Sequence, residues 1–188
     1  METRTQTRTP SGAKQATALL VLAALFFLPG CERKERLKVG DAAPEFSVMD
    51  TTGSTVALGQ FKGKVVVLYF WTNSCCRDTV KLIEPLYGKY REKGLALLAF
   101  DVGDSGETAA SYAKSNGLTF PVLADERGEI FRQYRLLGFP TVLLLDKNGV
   151  IRQIVPGRIE AAQLEKLVQR QFDHQKETDA AYERLHSR

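Results

Sequence analysis

The chain is 188 residues long, 44% hydrophobic and 26% charged, the balance of one globular domain with a core rather than of a disordered or fibrous chain. Its 15 Gly and seven Pro are too few and too scattered for collagen or a flexible linker protein. The formal charge is +4, and beyond residue 30 the chain carries 23 basic and 21 acidic residues with both signs interspersed, so no face neutralises phosphates and nucleic acid is excluded as an expected partner.

Residues 1–15 are polar and carry Arg4, Arg8 and Lys14; Ala16–Leu28 is almost wholly apolar, and Leu28-Pro29-Gly30-Cys31 follows. That is an n-region, an h-region and a cleavage site. The apolar run is shorter than the roughly 20 residues that a membrane-spanning helix needs. The stretch resembles a bacterial lipoprotein signal, which implies cleavage after residue 30, lipid attachment at Cys31, and a short linker over residues 31–38. A signal peptide with a free Cys31 and an uncleaved anchor are the alternatives. The expected location is the cell envelope, with the domain facing the periplasm or the cell exterior and held to the membrane by the lipid. With Cys31 set aside, Cys75 and Cys76 remain, adjacent in a compartment where disulfides persist.

Glu45–Asp50 and Ser54–Leu58 flank Thr51-Thr52-Gly53 and predict a hairpin. Val65–Trp71 is an unbroken apolar run, as expected of a central strand buried on both faces. Cys76–Lys93 has helical spacing through Val80, Ile83, Leu86, Tyr87 and Tyr90, closed by Gly94. A second buried strand is predicted over Leu95–Val102 and a second helix over Glu107–Ser115. Gly103-Asp104-Ser105-Gly106 between them lacks the Gly-Lys-Ser/Thr of a phosphate loop and reads as a βα connection. A short strand at Phe120–Leu123 and a short helix at Glu129–Tyr134 precede Thr141–Asp146 and Val150–Val155, which alternate across Asn148-Gly149 as a hairpin. Ile159–Phe172 is an amphipathic closing helix, and residues 174–188 read as a solvated polar tail. The two His, His174 and His186, fall in that tail, so neither a metal site nor a cofactor is expected.

This order is that of the thioredoxin fold: α/β, a mixed central sheet flanked by helices, with an N-terminal hairpin extension. Over residues 39–173 the chain resembles the membrane-anchored TlpA/ResA-like branch of that superfamily, itself related to the peroxiredoxins. The resemblance rests on FSVMDTTGSTVAL, FKGKVVVLYFW, FPVLADERGEI and YRLLGFPTVLLLDKNGVI. It implies that Pro140, in Gly138-Phe139-Pro140-Thr141, is a cis proline facing the catalytic cysteine, and that Trp71 and Phe139 line a substrate groove.

The site departs from the family pattern Phe-Trp-x-x-x-Cys-x-x-Cys. Phe70 and Trp71 place Cys75 at the nucleophilic position, whereas Asp78 stands where the resolving Cys belongs and Cys76 falls between them. The family's acidic position further along holds Lys81, with Glu84-Pro85 later than usual. A helix start and Arg77 favour a thiolate at Cys75, while Asp78 opposes it. A Cys75–Cys76 disulfide is disfavoured, because adjacent Cα atoms lie about 3.8 Å apart and disulfides usually span about 4.4–6.8 Å. Cys76 is expected as a packed or semi-exposed thiol, with a strained, readily reduced Cys75–Cys76 disulfide acting as a transient redox switch as the open alternative.

The reading that follows is a thiol-disulfide oxidoreductase, working through Cys75 as a monothiol or through Cys75 and Cys76 together, that exchanges with protein thiols and disulfides of the envelope. Apocytochrome c is one such substrate implied by the family. Two alternatives are a thiol peroxidase, on the echo Thr72-x-x-Cys75, and a non-catalytic binding or metallochaperone module in which paired thiols hold Cu(I).

Overall fold

The computed structural model describes residues 35–187. The leader, Cys31 and most of the linker lie outside the described residues.

A five-stranded sheet organises the domain, built from β3 (Val65–Trp71), β4 (Leu95–Val102), β5 (Val122–Asp125), β6 (Thr141–Leu145) and β7 (Ile151–Pro156) in the order β5-β4-β3-β6-β7. β3 is central, parallel to β4 and antiparallel to β6, and all seven of its residues are buried, as its unbroken apolar run requires. Side chains alternate between two cores. Val65, Val67, Tyr69 and Trp71 face one with Leu86, Tyr90, Ala109, Leu164 and Val168. Val66, Leu68 and Phe70 face the other with Phe46, Val56, Leu58 and Tyr134. The hairpin β1 (Ser47–Met49) and β2 (Thr55–Ala57) forms as its sequence predicts. Asp50 accepts the backbone N–H groups of Thr52 and Ser54 at 2.8 and 2.9 Å, which closes the turn around Gly53.

The N-terminal segment also ties both sheet edges. Gly40 N–H donates to Ile151 C=O (2.8 Å), Ile151 N–H to Asp41 C=O (2.9 Å), and Thr51 N–H to Val122 C=O (3.1 Å).

Three elements differ from the sequence reading. The single helix expected over Cys76–Lys93 is divided into α1 (Arg77–Val80), a 3-10 turn (Lys81–Ile83), α2 (Glu84–Tyr90) and a second 3-10 turn (Arg91–Lys93). Pro85 is the cause: it has no N–H, its ring cannot clear the carbonyl four residues back, and it takes the first turn of a new helix. Gly94 then ends the run at φ +97°. The strand expected at Phe120–Leu123 runs two residues later, because β4 pairs Ala99 with Val122 and Pro121 contributes only its carbonyl to Ala99 N–H. The tail expected after His174 continues α5 (Ala161–His186), and Lys147 pairs with Asp179 on that extension. Between these lie α3 (Gly106–Ser115), whose Ser105 cap accepts from Thr108 N–H, and α4 (Glu129–Gln133).

Candidate active site

The cysteine turn leaves the C-terminal end of β3. Residues 72–76 form a turn in which the N–H groups of Cys75 and Cys76 both donate to Thr72 C=O, at 3.3 and 3.0 Å. Cys75 is exposed, whereas Cys76 is buried in the helix-covered core at 3% exposure. The two sulfurs are joined as a disulfide, with Cα atoms 3.8 Å apart. The sequence disfavours this pairing but leaves it open. Both residues precede α1, in the turn that these two bonds to Thr72 C=O close.

The helix-start argument for Cys75 also changes. Cys76 is the capping residue, Cys75 stands one place further out, and α1 has four residues, so the dipole reaching Cys75 is that of one turn. Arg77 and Asp78 are both exposed, and Asp78 pairs with Lys81 at 3.2 Å. Glu84, the late acid of the family pattern, accepts the backbone N–H of Thr119 at 2.9 Å and is thereby committed to the connection between α3 and β5.

Several groups hold the turn from below. Thr79 hydroxyl donates to Cys76 C=O at 2.7 Å and lies 2.8 Å from the buried Tyr69 hydroxyl. Tyr112 of α3 donates its hydroxyl to Arg77 C=O, and burial first, then the nearby Asp78 charge, push its phenol up to about 12. Asn73 Nδ2 donates to Asp101 Oδ2 (3.1 Å) and to Asp104 Oδ2 (3.2 Å). Asp101 is fully buried at the end of β4, and burial, reinforced by the Asp104 charge, raises its carboxyl to about 7.

Of the residues expected in a substrate groove, Trp71 is fully buried and its ring meets Tyr112 with centroids 4.6 Å apart, so it forms the floor of the turn instead. Phe139 is half-buried and stacks on Phe131 at 4.4 Å. The Phe139–Pro140 bond is cis. The β3–β6 register pairs Phe70 with Thr141, so one residue further it brings Pro140 opposite Trp71, at the strand end that launches the cysteine turn. Register thus gathers Trp71, Cys75, Cys76 and Pro140 at one end of the sheet.

Sequence reasoning missed Asn73, Thr79, Asp101, Asp104 and Tyr112. The one local signal was an Asp inside the apolar run Leu95–Val102, since a charge there must be explained by partners. Among the described residues no cluster of three or more His, Cys, Asp or Glu could hold a metal ion. No helix among them is long and apolar enough to cross a membrane.

The AhpC/TSA family model matches residues 39–154. The chain is 35% identical over 140 residues to the thiol-disulfide oxidoreductase ResA of Bacillus thuringiensis subsp. konkukian, an alignment covering 73% of this chain and 81% of that one. It is 31% identical over 158 residues to ResA of Geobacillus kaustophilus, covering 81% and 91%. Among solved structures, StoA of Bacillus subtilis superposes with a TM-score of 0.57 at 25% identity, covering 66% of this chain and 96% of StoA. A thiol:disulfide interchange protein of the thioredoxin family from Chlorobium tepidum shares the fold at a TM-score of 0.63 and 21% identity, covering 73% and 99%.

Proposed function

The chain belongs to the AhpC/TSA family, among the thiol-disulfide oxidoreductases related to ResA, and from that premise we propose that it exchanges disulfides through Cys75, with Cys76 as the partner sulfur of its oxidised form. The split in exposure carries this reading: an incoming thiolate can approach the exposed Cys75 Sγ, while Cys76 Sγ is covered. Attack on Cys75 Sγ forms a mixed disulfide, breaks the Cys75–Cys76 bond and leaves the electron pair on Cys76 Sγ. A second thiol of the same substrate then attacks the substrate sulfur of the mixed disulfide and releases Cys75 as thiolate. Two substrate thiols are thereby oxidised to one disulfide and the site disulfide is reduced to two thiols; the reverse sequence reduces a substrate disulfide.

The substrates proposed are protein thiols and disulfides outside the cytosol, apocytochrome c among them. Residues 1–30 act as a lipoprotein signal, Cys31 carries the lipid, and residues 31–38 tether the domain to the membrane. What supports this placement is the n-region, h-region and Leu28-Pro29-Gly30-Cys31 order of the leader. Two acyl signals would be enough for stable anchoring. The peroxidase alternative gains nothing at Thr72, whose hydroxyl is engaged by the Ser74 hydroxyl at 3.0 Å.

The test is trapping. Cys76→Ser, whose Cys75 thiolate attacks a substrate disulfide and cannot be released by a neighbouring sulfur, should accumulate mixed disulfides through Cys75 when given a disulfide-containing protein, and Cys75→Ser should accumulate none. Mixed disulfides found through Cys76 instead would overturn the assignment, and lipid mass at a new N-terminal Cys31 tests the anchor.

A further inference from the structure

The Asn73 amide bridges two carboxyl groups that come from a different part of the chain. Asp101 ends the buried run of β4 and Asp104 lies in the loop before α3, yet both reach the same nitrogen, at 3.1 and 3.2 Å. Asp101 is fully buried, and its other oxygen, Oδ1, has no hydrogen-bond partner. Two carboxylates on one amide, one of them fully buried, repel each other, and sharing one proton relieves this.

We propose that Asp101 is a positioning residue for the cysteine turn: with Asp104 it clasps the Asn73 amide through a shared proton, and loss of that proton loosens the turn that carries Cys75 and Cys76. This rests on the reading of Cys75 and Cys76 as the exchanging pair. With the proton present, the Asp101 hydroxyl donates to Asp104 and the Asn73 amide bridges a pair of net charge −1. Without it, two full charges face each other across the amide, one of them in a site sealed from water. Asn73 precedes Cys75 by two residues inside the hydrogen-bonded turn, so displacement of its side chain strains the bonds to Thr72 C=O.

The groups around Asp101 single out Asp104 as its electrostatic partner. From β3 the neighbour is the Trp71 ring, and from β5 it is Ala124. Asp125 sits on the other face, where it accepts the N–H groups of Ile130 and Phe131. From α3, Tyr112 feels the Asp101 charge, and the Arg77 and Asp78 charges of α1 act on that phenol. After burial itself, Asp104 raises the Asp101 carboxyl through its charge and a hydrogen bond, and the Asp101 charge in turn raises the Tyr112 phenol.

The experiment uses the oxidised full-length protein in detergent, because a disulfide removes the cysteine titrations from the neutral range. Amide hydrogen exchange of Cys75 and Cys76, corrected for the intrinsic pH dependence, is followed from pH 5.5 to 8.5, together with the carboxyl carbon resonance of Asp101. In the wild type, protection should fall at least about tenfold across a midpoint shared with Asp101. Asp101→Asn, which keeps a donor toward Asp104 and an acceptor toward Asn73, should hold protection within about twofold over the same range. Asp104→Asn should move the Asp101 midpoint toward the ordinary carboxylate range, and this variant decides the matter if Asp101→Asn fails to fold. Asn73→Ala should leave Asp101 titrating near neutrality while the turn no longer responds. Flat protection in the wild type, a response that persists in Asp101→Asn, or an unmoved midpoint in Asp104→Asn would each overturn the clasp. None of these readouts involves substrate, so the clasp and the exchange reading fail separately: trapping through Cys75 with no pH response sinks only the clasp.

Discussion

Trp71 and Asp101 are register partners on the parallel strands β3 and β4, both fully buried, and each ends in a polar atom, Nε1 and Oδ1, that has no hydrogen-bond partner. An unpaired donor and an unpaired acceptor thus belong to register partners at the strand end from which the cysteine turn departs. Buried polar groups left unsatisfied are uncommon in folded proteins and concentrate where function requires them.

Asp101 makes stability depend on pH. Its carboxyl titrates at about 7 in the fold, raised from the ordinary 3.8 by burial and then by Asp104. A raised carboxyl favours folding while protonated, so its contribution is complete below about pH 4 and is lost as pH rises to about 7. Asp101→Asn should therefore match the wild type near pH 4 and exceed it by about 2–3 kcal/mol at pH 8. Denaturant titration at both pH values checks this, and an equal difference at the two would contradict it.

After reduction, Cys75 should be alkylated at least about tenfold faster than Cys76 near neutral pH, because one is exposed and the other is 3% exposed in the core. Peptide mapping by mass spectrometry after brief labelling reads the ratio. Equal rates would mean that the turn does not shelter Cys76.

Asp78→Cys should rebuild Cys-x-x-Cys at an exposed position and raise turnover of a general disulfide substrate such as insulin on the order of tenfold, by supplying a resolving thiol free to move. The substitution also removes the Asp78–Lys81 pair, whose exposure keeps its contribution below about 1 kcal/mol. Unchanged turnover would show that Cys76 already resolves efficiently.

Thr79→Val keeps the shape of the side chain and removes the hydroxyl that serves Cys76 C=O and Tyr69. The Tyr69 hydroxyl loses its Thr79 partner in the core and the Cys76 carbonyl keeps only the Thr79 N–H, at 3.0 Å. A loss of about 1–3 kcal/mol is expected by thermal or denaturant unfolding. A neutral result would mean that water replaces the hydroxyl.

Strands β3 and β4 and the two hairpins were legible because apolar runs and Asn-Gly or Asp-to-Gly turns are local signals, and they match within a residue or two. The break at Pro85 was legible in principle, but the apolar spacing from Val80 to Tyr90 continues through it, since two short helices can share one buried face. The helical continuation after His174 lacks an apolar stripe and is held in part by the Lys147–Asp179 pair, a tertiary contact with no sequence signature. For the site, Cys75 and Pro140 were read from their motifs. Asp101 and Asp104 were not, because only the β3–β4 register brings them to Asn73, 28 and 31 residues away.

The segment that runs from Gly40 to Thr51 touches β7 at Ile151 and β5 at Val122, the two outermost strands of the five-stranded sheet. Open strand edges invite pairing between molecules, which leads to aggregation. Here one stretch of the same chain occupies the ladder positions at both margins. The part of β7 beyond Ile151 presents Arg152 and Gln153 to solvent and ends in Pro156, a charge and a missing donor that discourage further strands from joining. Copies packed side by side would thus meet along edges that are blunted at Ile151 and Val122 and offer fewer free ladder positions to a neighbouring strand.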